Sequence, residues 1–80
     1  KEHDFELIRQ FYIDQIEGKS HRKISEKLLF QLEMYCQGSV FMTTQWVLDN
    51  KNFTPQELAG LLADAMPKEL ADVFREVNLI

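Results

Sequence analysis

Three residues of this sequence have a thiol or imidazole side chain that could act as a nucleophile, a base or a metal ligand: Cys36, His3 and His21. A cysteine nucleophile needs an adjacent base, and neither histidine lies near Cys36 in the sequence. Structural zinc usually takes four Cys or His ligands, which is more than the chain contains. Cys36 falls among the apolar residues of a predicted helix, so we interpret it as a core residue. We therefore expect no catalytic residue, no metal site and no cofactor, and we predict that the chain is not an enzyme.

Four larger side chains are candidates for a binding site: Tyr12, Tyr35, Met42 and Trp46. Small-molecule pockets are commonly lined by aromatic and apolar side chains with a few polar groups. The alternative is ordinary core packing, which the same residue types at helical spacing also produce. The sequence leaves both interpretations open, and a small apolar effector is the ligand that such a set would suit.

Composition restricts the class of protein further. The chain has 80 residues, 45% of them hydrophobic, and a formal net charge of −4, which fits one globular domain rather than a disordered segment. Its one cysteine cannot form an internal disulfide, which favours a reducing, cytoplasmic location. A pI of about 5.0 argues against nucleic-acid binding by this chain itself. Neither a signal peptide nor an apolar run of roughly 20 residues is visible, so we expect no membrane partner.

The shortness of the chain predicts a partner. Domains below about 80 residues often need a metal, disulfides or a second subunit for stability. Because the residues for the first two are lacking, we expect a homodimer or the remainder of a longer chain. A sequence that begins with Lys1 would then be a fragment.

The hydrophobic periodicity predicts an all-α fold of three to four helices, an antiparallel bundle with a long central helix. The first helix runs from about Asp4 to Glu17, and Gly18 is expected to end it in a left-handed conformation. The second runs from about His21 to Asp49. The basic segment 18–23 is interpreted as a solvated loop, with an anion-binding patch as the alternative. The apolar stripe of the first helix comprises Phe5, Ile8, Tyr12 and Ile16, widened by Leu7, Phe11 and Ile13.

The second helix carries two apolar stripes instead of one. One includes Leu28 and Leu32, and polar residues separate it from the other, which consists of Phe30, Met34, Phe41 and Leu48. A helix that is apolar on several sides is buried on several sides. Because so short a chain has few other helices, we predict that one stripe meets this chain's own helices and the other meets a partner. Gly38 within this helix predicts close approach of another helix, since glycine there otherwise costs about 1 kcal/mol.

The third helix has the strongest local signal. Thr54 as N-cap, Pro55 at the first helical position and Glu57 at the third form a capping box. Pro67 is expected to kink or restart the helix. The apolar stripe consists of Leu58, Leu61, Leu62 and Ala65 and continues towards Val77.

Two parts of this pattern together resemble the C-terminal half of a tetracycline-repressor (TetR) family regulator. They are Tyr35-x-x-Gly38 followed by Trp46-Val47-Leu48, and Thr54-Pro55-x-Glu57-Leu58-Ala59. In that family an aromatic-x-x-Gly stretch and a Trp lie on the penultimate long helix, and Ser/Thr-Pro-x-Glu-(Glu)-Leu-Ala begins the last one. The segment from Asp4 to Tyr12 is similar to the family's preceding helix, so the resemblance covers roughly residues 3–66.

The resemblance implies an effector-binding and dimerisation domain, in which binding of a small molecule is coupled to DNA release by the full-length regulator. DNA would be bound only by an N-terminal helix-turn-helix domain, which we do not expect within this chain. The last two helices would pair across a dimer as a four-helix bundle, and the ligand pocket would lie among the middle helices. The dimer-interface candidates are Phe30, Met34, Gly38, Phe41, Leu48, Leu58, Leu61, Leu62 and Ala65.

The alternative function is a small helical dimeric protein–protein interaction module with no ligand. A gene that encodes a basic helix-turn-helix segment upstream of Lys1 would favour the regulator. A start codon at or just before Lys1 would favour the interaction module.

Overall fold

The computed structural model describes residues 2–49 and 52–80. Within that part of the chain it contains four helices packed together and no strand, so the predicted all-α class with a long central helix is confirmed. Helix α1 spans Glu2–Ser20, α2 spans Glu26–Leu48, α3 spans Pro55–Asp64 and α4 spans Lys68–Glu76. None of these described helices is long and apolar enough to cross a membrane.

The end of α1 differs from the prediction. The helix continues through Gly18 to Ser20, and the residue in the left-handed region is His21, with φ of 59°. The Ser20 hydroxyl donates a hydrogen bond to the Ile16 carbonyl at 2.6 Å, and the His21 N–H donates to the Glu17 carbonyl at 3.1 Å. These bonds carry the helix past the glycine, so the expectation that Gly18 ends it was wrong.

The start of α2 also differs from the prediction. The helix begins at Glu26 rather than at His21, with Ser25 as its N-cap. The Ser25 hydroxyl accepts a hydrogen bond from the Leu28 N–H at 3.1 Å, and the Glu17 carboxylate accepts one from the Ile24 N–H at 2.9 Å. Both side chains satisfy backbone donors near a helix start that have no partner within the helix.

The capping box of α3 is confirmed. The Thr54 hydroxyl accepts a hydrogen bond from the Glu57 N–H at 3.0 Å, and the Glu57 carboxylate accepts one from the Thr54 N–H at 2.8 Å. Pro55 is the first helical residue. At the other end, the chain restarts as α4 directly after Pro67, which was one of the two outcomes expected for that proline.

The core lies between α1, α2 and α4. The ring of Tyr12 stacks on that of Phe74 with centroids 5.1 Å apart. Cys36 is buried, so its interpretation as a core residue is confirmed. Helix α3 contributes no buried residue and lies at the margin of this core. The buried cluster consists of Ile16, Leu32, Cys36, Leu70, Phe74 and Val77.

Ion pairs tie the same three helices together at the surface. Arg9 of α1 pairs with Glu33 of α2 at 2.8 Å, and Lys27 of α2 pairs with Glu69 of α4 at 3.1 Å. The Lys27–Glu69 pair is exposed and the Arg9–Glu33 pair is half-buried, and an exposed pair contributes only about 0–1 kcal/mol. The apolar core, rather than these pairs, therefore accounts for most of the stability.

Replacing Leu32 by alanine is expected to lower the free energy of unfolding by about 2–5 kcal/mol, since it leaves a cavity in the core. Leu32 is fully buried, whereas Leu7 is 58% exposed. The matched control Leu7→Ala should therefore change stability far less. Urea denaturation followed by circular dichroism measures both, and equal losses would contradict the assignment of Leu32 to the core.

Replacing Thr54 by alanine is expected to destabilise α3 by about 1 kcal/mol, because it removes the side-chain oxygen of the cap. The control Thr54→Ser keeps that oxygen and should keep the stability of α3. Hydrogen exchange of the α3 amides measures the effect. Equal protection of these amides in the alanine and serine variants would argue against a helix start stabilised by this hydroxyl.

Candidate functional site

The second apolar stripe of α2 is exposed. Phe30, Met34, Phe41 and Leu48 are 64, 63, 60 and 71% accessible, while Leu32 on the other side of the helix is fully buried. The described helices of this chain therefore leave this stripe exposed, as the sequence predicted, and bury the other side of α2 only around Leu32 and Cys36. Large apolar side chains in a row on one face of a helix are typical of a surface that packs against something else.

A smaller exposed patch lies on α1. Leu7 and Phe11, which widen the predicted apolar stripe of that helix, are 58 and 54% exposed. The core residue of α1, Ile16, packs in a cluster with residues of α2 and α4, so the wider part of the stripe lies outside the core.

Two apolar grooves lie on either side of the line along which α3 meets α2. The α1–α2–α3 groove has a volume of about 510 Å³, and the α2–α3 groove one of about 610 Å³. Tyr35, Ser39 and Leu62 line both grooves and form the wall between them. The first groove is also lined by Ile8, Tyr12, Cys36, Thr43, Val47 and Leu48, among others. The second is also lined by Phe30, Met34, Gly38, Met42 and Ala65, among others.

Tyr35 fixes the wall between the grooves. Its hydroxyl donates a hydrogen bond to the Leu62 carbonyl at 2.6 Å and so joins the middle of α2 to the last turn of α3. Loss of solvent around the phenol raises the pKa of Tyr35 above its usual value, and the nearby Tyr12 and Cys36 add to the shift. The neutral hydroxyl, which is the form able to donate, is thus the form that this site favours.

Trp46 has a structural partner. Its indole N–H donates a hydrogen bond to the Phe53 carbonyl at 2.8 Å, next to the N-cap of α3. Buried or half-buried tryptophans usually satisfy their N–H in this way. Trp46 and Tyr35 therefore attach α3 to α2 at its two ends.

The four candidate ligand-binding residues do not share one groove. Tyr12 lines the α1–α2–α3 groove, Met42 lines the α2–α3 groove and Tyr35 lines both. Trp46 lines neither of these two grooves.

The polar lining of the α1–α2–α3 groove was not predicted from the sequence. Ser39 and Thr43 follow Tyr35 at intervals of one helical turn, and all three line this groove. That spacing was the available signal, because residues four apart lie on the same face of a helix.

The dimer-interface candidates lie on α2 and α3 but do not all line the same groove. A Cβ built on Gly38 would meet no atom within 4 Å, so no described helix of this chain makes the close approach that we expected there. Approach by a partner stays a prediction. Of the candidates, Phe30, Met34, Gly38, Leu62 and Ala65 line the α2–α3 groove, Leu48 lines the other groove, Phe41 and Leu61 are exposed, and Leu58 is half-buried.

Comparisons of the chain with protein-family models, curated proteins and solved structures give no match.

In the described part of the chain, no set of residues is arranged for acid–base, nucleophilic or metal chemistry. No group of three or more His, Cys, Asp or Glu side chains there could hold a metal ion. Burial raises the pKa of the Cys36 thiol, and Arg9 only partly opposes this, so the reactive thiolate is disfavoured. His21 is exposed, and the side chain of His3 lies outside the described residues. What the geometry offers is two grooves and an exposed apolar stripe.

Replacing Tyr35 by phenylalanine is expected to remove the titration of a phenol whose pKa is raised by burial. The pKa of Tyr35 lies above its ordinary value of 10.0, so its contribution to stability is complete below that pH and is lost as the pH rises through the folded-state pKa. Phenolate absorbance of the wild type minus that of Tyr35→Phe isolates this group. A titration midpoint of the Tyr35 phenol at or below the midpoint in the urea-unfolded chain would contradict the burial of the phenol.

Proposed function

We propose that the chain is a dimerisation and effector-binding domain like that of a TetR-family regulator, in which α2 and α3 pair with the same helices of a second copy. The observation that carries this proposal is the exposed stripe of Phe30, Met34, Phe41 and Leu48 on α2. Leu61 on the adjacent α3 is also exposed, at 49%. The proposal accounts for both, because a second copy would cover them.

The solvent-accessible surface area of the chain supports the burial of one face by a partner. The chain exposes 6008 Å², whereas a compact monomer of its mass is expected to expose only about 5,000 Å². The radius of gyration is 13.3 Å, compared with about 11.6 Å for a compact domain of this length. The excess surface is close to the roughly 800 Å² that each partner buries in a stable protein–protein interface.

A second copy is the simplest partner that the stripe would fit. In a two-fold dimer the same surface of each subunit meets itself, so an apolar stripe needs no separate complementary surface. Two helices from each copy would make a four-helix bundle. Gly38, with open space beside it, would then allow the two copies of α2 to approach closely.

The α1–α2–α3 groove is the candidate effector site. Its volume of about 510 Å³ falls within the range of about 300–1,000 Å³ typical of small-molecule sites. Its lining is mainly apolar, and the hydroxyl-bearing residues among the lining are Tyr12, Tyr35, Ser39, Thr43 and Thr44. These features suit a small apolar effector with one or two hydrogen-bonding atoms. Such an effector would act by binding one domain arrangement more tightly than another.

The second candidate function is a helical protein–protein interaction module with no ligand. It is favoured by the separation of the four candidate ligand-binding residues, since Trp46 lies in neither groove and Met42 and Tyr12 lie in different ones. The coding sequence upstream of Lys1 discriminates between the two functions: a basic helix-turn-helix segment supports the regulator, and a start codon at or just before Lys1 supports the module.

Replacing Leu61 by glutamate is expected to convert a dimer into a monomer, because two carboxylates would be buried in the apolar interface without partners. The matched control is Leu7→Glu, which places the same charge at a site of similar exposure on α1. Sedimentation equilibrium over a concentration series measures both variants and the wild type.

The control variant should remain dimeric. If the wild type is a monomer at all concentrations, the proposed dimer is wrong. If Leu7→Glu dissociates the dimer and Leu61→Glu does not, the interface lies on α1 instead of on α2 and α3.

A further inference from the structure

Helix α3 is the least firmly packed of the four helices. None of its residues is buried, whereas α1, α2 and α4 each supply members of the core cluster. Leu58 and Leu62 are half-buried, and all other residues of α3 are exposed. Removing α3 from α2 would therefore leave the core of Leu32 and Phe74 intact. Segments with few buried contacts open at a lower free energy than the whole molecule unfolds.

Two side chains of α2 hold the two ends of α3. Trp46 donates its indole N–H to the Phe53 carbonyl at 2.8 Å, just before the helix. Tyr35 donates its hydroxyl to the Leu62 carbonyl at 2.6 Å, in the last turn. Both bonds run from a side chain of α2 to the backbone of the α3 segment, so each can be removed singly without altering α3.

The Tyr35 hydroxyl donates to a carbonyl of α3 that lacks a hydrogen-bond donor within its own helix. The last carbonyls of a helix lack the usual partners four residues later. For Leu62 that partner would be the Met66 N–H, but Met66 donates to the Ala63 carbonyl at 3.2 Å instead. Pro67 has no N–H to offer. The Tyr35 hydroxyl therefore serves as the hydrogen-bond partner of Leu62 at the C-terminal end of α3.

We propose that α3 docks on α2 and detaches from it as one unit while the core of α1, α2 and α4 stays folded, and that the hydrogen bond from Tyr35 to Leu62 is the latch that determines how often it detaches. The pivot is the short segment 65–67, because Leu70 and Phe74 of α4 remain anchored in the core. This device goes beyond the proposed function and does not depend on it.

Detachment of α3 changes the binding surface. Leu62 together with Tyr35 and Ser39 of α2 forms the wall between the two grooves. When α3 leaves, the wall loses Leu62 and the two grooves become one open apolar trough along α2. The α1–α2–α3 groove therefore exists as a separate site only while α3 is docked.

The test is native-state hydrogen exchange of the α3 amides, followed in a series of low urea concentrations and compared with amides flanking Leu32 and Phe74. We expect α3 to exchange faster than the core, through an opening that depends little on urea, because little surface is exposed. Tyr35→Phe keeps the ring and removes the hydroxyl, so it should speed exchange of α3 by about three- to tenfold, the effect of one hydrogen bond. The core amides should not change.

The matched control is Tyr12→Phe. Tyr12 lines the same groove as Tyr35, and its hydroxyl makes no hydrogen bond within the described part of the chain, so this variant should leave α3 exchange unaltered. Trp46→Phe removes the other tie and should speed exchange throughout α3, because the helix detaches as one unit. It also provides a second variant should Tyr35→Phe fail to fold.

Two results would overturn the latch. One is exchange of α3 with the same urea dependence as the core, which would mean that α3 opens only when the whole chain unfolds. The other is equal acceleration of α3 and core amides by Tyr35→Phe, which would make the hydroxyl a general stabilising group. The exchange is measured at protein concentrations at which the oligomeric state is known, so that the latch and the dimer are tested separately. A monomer in which α3 opens separately from the core would refute the dimer and support the latch.

Discussion

The two-sided apolar character of α2 is the constraint on which the rest of the structure depends. One side supplies Leu32 and Cys36 to the core and is covered by α1 and α4. The other side carries Phe30 and Met34, which the described helices leave exposed. A helix of this kind can contribute to a small core and still keep an exposed apolar face, because two neighbouring helices cover only part of its circumference.

The core occupies only part of the length of α2. Helix α4 has 9 residues and meets α2 near Lys27 and Gln31, through Glu69. Further along, α3 lies beside α2 and is held by Tyr35 and Trp46 instead of by buried side chains. Stability is therefore concentrated where three helices pack together, and the grooves lie where α3 rests on α2. This division explains why the binding surfaces and the least supported helix are found in the same region.

Tyr35 connects the proposals made for this region. Its ring borders both grooves, and its hydroxyl holds the last turn of α3. A molecule that fills the α1–α2–α3 groove would contact Tyr35 and Leu62 and would favour docked α3. By thermodynamic linkage, whatever holds α3 in place, including a second copy packed on it, would favour that molecule to the same degree. Effector binding and association would thus be coupled through one short contact.

The sequence by itself determined the features that depend on neighbouring residues. The capping box needs only Thr54 and Glu57, which lie one turn apart, and the exposed stripe of α2 follows from helical periodicity. Only the tertiary structure decided that α1 extends to Ser20, that Leu7 and Phe11 are exposed and that the four candidate ligand-binding residues lie apart. Periodicity gives the direction of each side chain around its own helix. It does not give the position of the next helix, and that position determines which apolar residues are buried.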